Sequence, residues 1–537
     1  MEREYCLQKK NLFKRWFTDS NYAAFIGALI AGLLTHAVIM IRQPVCADPV
    51  LFMDWYKSES WFLFNQGRWA TNIFTVLRGY LVDPVLCTVI TVFSMALSAA
   101  MAADLFGLKE KKWAALAGAA MAVHPYIANS LMYYSTDGTL LYAAAVLSVW
   151  LIYKSDFKAP IRIGLAGILQ IFVLGASQGY ICILTFLPVI LFVLQILDRK
   201  VSGKEAKKNF LFCVISCIIG FAGYMLVWKY FIAKYEITTL YGGAEGYTLS
   251  SVITGLPNSL KRIYGEFFSY FFGESIVHNA YWARGIIYGI TLMLSLAGLA
   301  ITVVRNVVRK QVRLLDAVLC LCAVLVSPIA AISIDLVVAN YNFYLMMANA
   351  FVFVIPMLCK LFEDCLEEGR MKHAYRALGF VGCALLVWTY ALSDIAGYLV
   401  LDQTSVQTKE LATRVLYRLE ETEGFSYDTP VCFIGQPNEV CYQHDPHLVE
   451  ACPGSTFLQQ GVFSGIWENS DGWGLYIYRY CGVKLNYYSN GMQNRIRELA
   501  ETPEFESRGC YPAQDSVGII DGVMVVKLGE YDASAPD

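Results

Sequence analysis

Residues 21–69 read NYAAFIGALIAGLLTHAVIMIRQPVCADPVLFMDWYKSESWFLFNQGRW. The first part is an apolar run long enough to cross a bilayer, because about 20 residues rising 1.5 Å each cover the roughly 30 Å hydrocarbon core. The second part sets Asp48, Asp54, Glu59 and Arg68 among bulky aromatic residues, just where the chain leaves the membrane. Its LFMDWY and WFLF pieces make it amphipathic rather than merely polar, and helices of that composition lie in the headgroup plane. The stretch predicts a span that delivers a charged, aromatic loop to a membrane surface.

Composition extends that reading to the whole chain. Of its 537 residues 57% are hydrophobic and 16% charged, with a mean hydropathy of +0.47, which is far more apolar than a soluble enzyme of this size. A net charge of -2 and a pI near 6.3 give no basic excess for a nucleic-acid partner, and no motif of that kind occurs. Eleven apolar stretches, near 21–41, 84–103, 113–132, 138–153, 163–179, 180–197, 209–233, 285–304, 314–334, 343–361 and 377–400, predict an α-helical polytopic membrane protein with about 11 transmembrane helices. No small-residue cleavage site follows the first run, so it reads as an anchor and not a removed signal peptide.

Lys and Arg in the connecting segments set the orientation. With the N-terminus inside, segments 1–20, 104–112, 154–162, 198–208, 305–313 and 362–376 carry 23 basic residues, against 7 in the outer loops 42–83 and 234–283. The N-terminus is expected in the cytoplasm, and an odd number of spans puts the part from residue 402 outside. The expected domains are therefore a multi-span domain over 1–401 and an extracytoplasmic domain over 402–537. In the latter, TKELATRVLYRLEE and RIRELAE have helical spacing, whereas PVCFIG and SVGIIDGVMVVKLG read as strands, so a small α/β domain is expected. In the middle loop, YGGAEGY lacks the preceding strand and following Gly-Lys-Ser/Thr of a phosphate loop, and SLKRIYGEFFSYFFGES is amphipathic and expected to rest on the membrane.

Eleven of the sixteen cysteines precede residue 400, mostly within spans, where a small buried apolar role is the default. Cys432, Cys441, Cys452, Cys481 and Cys510 lie in the C-terminal part, with Cys441–Cys452 and Cys481–Cys510 as possible pairs. HDPH at 444–447 reads as a surface turn rather than a metal site, and no metal-ligand pattern occurs elsewhere.

Asp48 before Pro49, Asp83 before Pro84 and Asp137 before Gly138 all suit helix N-caps. For Asp83 that reading suffices. Asp48 has Asp54, Glu59 and Arg68 nearby, and Asp137 sits in MYYSTDG among hydroxyls. Ionisable groups at a membrane surface tend to mark function. A carboxylate there can take a proton from a sugar hydroxyl, and an arginine can hold a lipid-linked phosphate through bidentate hydrogen bonds. Arg68 is the candidate for that phosphate, with snorkelling to the interface as the other reading. Gln178, in GASQGY, either binds a sugar hydroxyl or bridges helices. His124 beside Pro125 reads as a satisfied imidazole at a helix kink.

Four motifs in this order, namely an aspartate-bearing first loop ending in Gly67-Arg68-Trp69, YYSTD ending at Asp137, SQGY with Gln178, and a tail with PVCFIG, resemble the bacterial glucosyltransferase II membrane family, whose members modify O-antigen and similar glycans. The resemblance covers nearly the whole chain. It implies a GT-C glycosyltransferase of the bacterial plasma membrane that takes glucose from undecaprenyl-phosphate-glucose at the outer face and passes it to a cell-surface glycan in a single inverting displacement. The catalytic aspartate of the first outer loop maps to Asp48, with Asp54 as the other candidate, because the two are spaced DPVLFMD rather than adjacent. The chain has no DxD motif of the kind metal-dependent nucleotide-sugar enzymes use, which agrees with a lipid-linked donor. A transporter or flippase for lipid-linked sugars is the alternative. It would need polar groups deep in several spans and pseudo-symmetric halves, against which the sequence offers only scattered residues such as Asp316, Asp335 and Asp394. A scaffold that binds cell-wall glycan is a third.

Overall fold

The computed structural model of the protein describes residues 18–45, 61–77, 79, 83–132, 136–197, 201–238, 240, 249–272, 282–309, 312–336, 343, 345–364, 372–437, 445–451, 470–488 and 492–531. The chain divides into two compact units, Met1–Met40 with Tyr56–Ile395, and Ile41–Trp55 with Ala396–Asp537.

The first unit is helical. Thr18 caps α1 (Asp19–Thr35), its hydroxyl accepting from the Asn21 amide at 3.2 Å, and a short α2 (Ala37–Arg42) follows. The first loop holds α3 (Trp61–Asn65) and α4 (Trp69–Leu77). Asp83 caps α5 (Pro84–Phe106), accepting from the Leu86 amide at 2.6 Å, as its Asp-Pro sequence predicts. The stretch expected to span near 113–132 is instead α6 (Lys111–Ala122) and α7 (Pro125–Met132). Pro125 has no N–H to give and its ring opposes the preceding turn, so the helix breaks at His124. Then come α8 (Thr136–Lys154), α9 (Ala159–Ala176), a 3₁₀ turn at Gln178–Tyr180, α10 (Ile181–Leu197) and α11 (Gly203–Lys234). The amphipathic α12 (Leu249–Phe272) is followed by α13 (Trp282–Val308), α14 (Leu314–Ala331), and a 3₁₀ stretch Leu345–Phe353 that continues as α15 (Val354–Asp364). The long α16 (Lys372–Glu421) contributes its residues to Ile395 to this unit and the remainder to the second.

Eight helical segments among the described residues are long and apolar enough to cross a membrane. Of the other expected spans, α1 has 17 residues, α6 and α7 are separated by the break, and the apolar part of α8 is short, Leu140–Lys154. Burial sorts the spans: the windows in Leu345–Asp364 and Gln178–Leu197 are 83% and 72% buried, against 22% in Gly203–Lys234. The first two form the centre, and the outer ones expose Leu211, Ile218, Leu226, Ile290, Met293 and Leu325. Water would not tolerate so much apolar surface, whereas lipid does. The protein is a multi-pass membrane protein. Helices α1 and α6 approach closely enough that a Cβ on Gly27 would strike the Ala115 carbonyl and one on Gly118 the Ala24 carbonyl, the small-residue contact by which helices associate where no hydrophobic drive separates them from lipid. α12 matches its predicted amphipathicity: Ile263, Tyr270 and Phe271 are buried, with Tyr270 stacked on Phe351 at 4.2 Å, while Phe268 and Phe272 are exposed.

In the second unit, β1 (Pro430–Ile434), β2 (Asn486–Tyr487), β3 (Val517–Ile520) and β4 (Val523–Lys527) form one sheet in the order β2-β1-β4-β3. β1 runs parallel to both neighbours, and β3 and β4 form an antiparallel hairpin through Asp521-Gly522, both at positive φ, the conformation that two-residue hairpin turns require. Period-2 alternation divides the strands between two cores. Val431, Phe433, Met524 and Val526 pack on Leu411, Val415 and Leu419 of α16, and on Trp473 and Tyr476 of α18 (Ser470–Tyr476), which follows α17 (Pro446–Ala451). Cys432, Ile434, Val523 and Val525 pack on Ile496 and Leu499 of α19 (Gln493–Ala500) and on Phe505 of α20 (Pro503–Ser507). The result is an α/β sandwich with its sheet covered on both faces. Burial pushes the Cys432 thiol up to about 12, which leaves it inert.

The pairing of Cys481 with Cys510 is not formed. Both are free thiols, Cys481 packed against the first of these cores and Cys510 hydrogen-bonded to the Glu530 carboxylate at 3.4 Å. Cys441 and Cys452 lie outside the described residues. In HDPH, the Asp445 carboxylate accepts from the His447 amide at 2.9 Å at the start of α17, a turn as predicted.

Candidate functional site

Successive spans reverse direction, so described connectors 107–110, 155–158 and 201–202 gather at one end of the helical unit, and 177–180 and 332–336 at the other. The first-loop motif Gly67-Arg68-Trp69 belongs to the second of these ends. Gly67, at φ +72, ends α3: its amide donates to the Phe64 carbonyl at 3.0 Å and the Arg68 amide to the Leu63 carbonyl at 2.7 Å. These are the two bonds of a Schellman stop, with Gly in the left-handed position. A side chain at 67 would be strained, and its Cβ would run into the Tyr224 hydroxyl and the Gln178 amide.

Anchors on both sides hold this turn. Phe64 stacks on Phe231 at 4.4 Å and on Tyr235 at 4.9 Å, and its carbonyl also accepts from the Trp228 indole at 2.7 Å. Trp69 is buried, and Gly175 gives its ring room, for a Cβ there would lie 2.5 Å from it. The Thr71 hydroxyl donates to the Ala176 carbonyl at 3.1 Å. Gln178 donates from Nε2 to the Gln66 carbonyl and to the Tyr224 hydroxyl, both at 2.7 Å. Both amide protons are thus used to tie the first loop to α11, which is the bridging role of the two read from the sequence. The Gln178 carbonyl oxygen makes no hydrogen bond among the described residues.

Arg68 is the residue this scaffold aims. It is half-buried and within electrostatic reach of the Tyr224 hydroxyl. Its Nε is buried without a hydrogen-bond partner, and its guanidinium is in no ion pair among the described residues. A planar, permanently charged fork in that state is suited to the oxygens of a phosphate.

Of the other sequence candidates, Asp137 lies in the first turn of α8, at the same end of the unit; its side chain, and the whole of Asp48 and Asp54, lie outside the described residues. Among the described residues no group of three metal-ligating side chains occurs.

The same end holds polar groups that sequence reading left scattered. Arg262 of α12 grips the buried Asp335 in a bidentate pair, with Nε 3.0 Å from both carboxylate oxygens, and Glu266 one turn on is within electrostatic reach of both. His124 is buried at the α6/α7 break and bonded at both nitrogens: Nδ1 accepts from the Tyr126 amide at 3.2 Å and Nε2 lies 2.7 Å from the Tyr270 hydroxyl, so it is the satisfied imidazole its sequence suggests. From Tyr270 the hydroxyls continue to Tyr390 at 3.2 Å and on to Tyr288. Arg284, fully buried, lies over the Tyr390 ring at 5.4 Å and donates to Ser393 and to the Thr389 carbonyl, with the buried Asp394 in electrostatic reach. Tyr224, Arg262 and Arg284 were not singled out from sequence. Tyr224 is one of 34 tyrosines, and nothing local marks it.

Fold and site together define a multi-pass membrane protein that holds, at one end of its helices, a glutamine-tyrosine clamp beside an arginine with no ion-pair partner among the described residues. The family model for the glucosyl transferase GtrII matches residues 47–355, more than half of the chain, and the chain belongs to that family of glucosyltransferases. The matched range contains Arg68, Asp137 and Gln178, as well as Asp48 and Asp54. No curated protein and no solved structure matches the chain.

Proposed function

We propose that the protein transfers glucose, or a related hexose, from undecaprenyl-phosphate-sugar to a cell-surface glycan at the outer face of the bacterial plasma membrane, with its N-terminus in the cytoplasm and residues 402–537 outside. Family membership supports glucosyl transfer, and the observation that carries the choice of a phosphate-linked donor is Arg68. A guanidinium set by a helix stop, wedged by buried aromatic residues and left without an ion-pair partner among the described residues suits an anion at the end of the helices. In this reading Arg68 binds the donor phosphate, Gln178 offers its carbonyl oxygen to a sugar hydroxyl, and Asp137 lines the sugar site.

The first-loop carboxylate, Asp48 or Asp54, accepts the proton of the acceptor hydroxyl as that oxygen attacks the anomeric carbon. The carbon–oxygen bond to phosphate breaks, and undecaprenyl phosphate leaves with the bonding pair, its charge held by Arg68. The proton remains on the carboxylate, so the step balances without a metal or redox partner.

Release of undecaprenyl phosphate from synthetic undecaprenyl-phosphate-glucose by the purified protein, with a crude cell-surface glycan as acceptor, tests this. Acceptor-dependent release is expected in the wild type. Asparagine at the true base lowers turnover by about 10²- to 10⁴-fold with the protein still folded. Wild-type turnover in both Asp48→Asn and Asp54→Asn would remove the base assignment.

A further inference from the structure

At the end of the helical unit opposite Gln178, the last turn of α8 and the starts of α9 and α11 enclose a cleft of about 320 Å³. Arg162, Lys204 and Lys208 line it, facing a single carboxylate, Glu205, together with Tyr153 and Asn209. The four charged groups leave two net positive charges, and none of the three cations is in an ion pair among the described residues.

The lining keeps spare donors. Arg162 spends one nitrogen on the Ile152 carbonyl at 2.8 Å, while its buried Nε has no hydrogen-bond partner among the described residues. The Tyr153 hydroxyl is likewise buried and unbonded among them. Arg162 and Lys208 flank the Phe212 ring at 5.7 and 5.5 Å from its centre, which fixes both heads beside the cleft. Ser202 caps α11 by accepting from the Glu205 amide at 3.2 Å, so the first turn of a 32-residue helix borders the cleft, while Asp316, against Gly203 of the same turn, is matched by Lys207 at 2.7 Å. An architectural cluster would match its charges. Three cations, a phenol and an amide around one carboxylate instead suit a ligand with several anionic oxygens.

We propose that this cleft is a second binding site of the protein, and that it takes a phosphate-bearing group, either the headgroup of an anionic membrane lipid or a soluble phosphate. Arg162 and Ala176 stand at opposite ends of α9, roughly 21 Å apart along its axis, so the cleft is separate from the site at Arg68 and does not depend on the reaction proposed there. Basic pockets between membrane helices are a known means of holding phosphate headgroups.

The test uses the full-length protein in detergent and the Lys204→Gln/Lys208→Gln variant, which removes two charges without breaking an ion pair among the described residues. One arm measures retention of phosphatidylglycerol against phosphatidylcholine by native mass spectrometry. The other titrates inorganic phosphate at constant ionic strength and follows the thermal midpoint. Saturable binding of at least one phosphate probe is expected in the wild type, weakened about 10-fold or more in the variant, with both proteins monodisperse and equally active in glucosyl transfer. Retention of phosphatidylglycerol alone assigns a lipid headgroup, and a response to inorganic phosphate assigns a soluble group. Failure of both probes to saturate, or equal binding by the variant, overturns the proposal.

Discussion

At one end of the helical unit Glu363 accepts from the Lys109 and Glu110 amides at 3.0 and 2.7 Å and pairs with Lys360 at 3.4 Å, and Lys360 also reaches Asp364 at 2.7 Å and the Gly107 carbonyl at 2.5 Å. Arg376 pairs with Glu110, and its guanidinium holds that carboxyl below the usual range. At the other end Arg68 sits in an equally well-built frame with no charge to meet it among the described residues. Desolvating a charge is costly at either end. Where a partner is supplied, the charges fasten helices: Glu363 satisfies amides at the start of α6, whose cap residue Glu110 makes no side-chain capping bond of its own. Where it is withheld, the frame keeps the charge available for a ligand. The contrast separates structural from functional charge by partner count, and it can be broken by experiment.

The largest effect is expected at Arg68. Arg68→Ala should lower turnover by about 10²- to 10³-fold, the scale of losing one group aimed at a developing charge, with no loss of thermal midpoint, because the side chain makes no hydrogen bond or ion pair among the described residues. Arg68→Lys should rescue only part of this, since an ammonium lacks the fork geometry. A lowered midpoint in Arg68→Ala with turnover per folded molecule intact would put Arg68 with the architectural charges and end the contrast.

Glu363→Ala should give the reverse pattern. It frees two backbone amides while Lys360 keeps Asp364 and the Gly107 carbonyl, and leaving buried donors unsatisfied costs about 1 to 3 kcal/mol. Chemical unfolding in detergent measures the loss, and the surviving folded fraction should turn over donor at the wild-type rate. Reduced turnover per folded molecule would show that the two ends are coupled.

What could be read from the sequence follows the range of the interactions. Apolar runs announce helices because burial in lipid depends on local composition, and Pro125 supplies the reason its run divides. Short apolar runs mark β1 and the β3–β4 hairpin as strands, but the two residues of β2 are too short to carry such a signal, and they form a strand only because β1 lies beside them. Gly67 in NQGRW carries the signal of a helix stop, yet its consequence, the aiming of Arg68, needs Tyr224 and Trp228 from more than 150 positions away. Asp335 looked isolated because Arg262 is 73 residues distant and the pairing depends on how two helices are rotated. Asp316 is another case, matched by Lys207 at 2.7 Å.

The smallest effect is expected from Tyr224→Phe, and it resolves what Gln178 does. The change removes the Gln178 tie to α11 and leaves its bond to the Gln66 carbonyl, so the first loop stays bonded to Gln178 but loses that link to α11. A single neutral hydrogen bond contributes about 1 kcal/mol, and kcat/KM should fall by about 5-fold at most through looser placement of Arg68. Gln178→Glu reverses the polarity at the same point: a carboxylate cannot donate to the Gln66 carbonyl, so both ties change while the acceptor oxygen that faces a sugar hydroxyl remains. If tethering dominates, Gln178→Glu is the more damaging of the two, and its loss is not additive with that of Arg68→Ala, since both act through the same guanidinium. If Gln178 acts mainly on the sugar, Gln178→Glu retains turnover close to wild type and its effect adds to that of Arg68→Ala. The double-mutant cycle therefore distinguishes a residue that touches substrate from one that positions the residue that does.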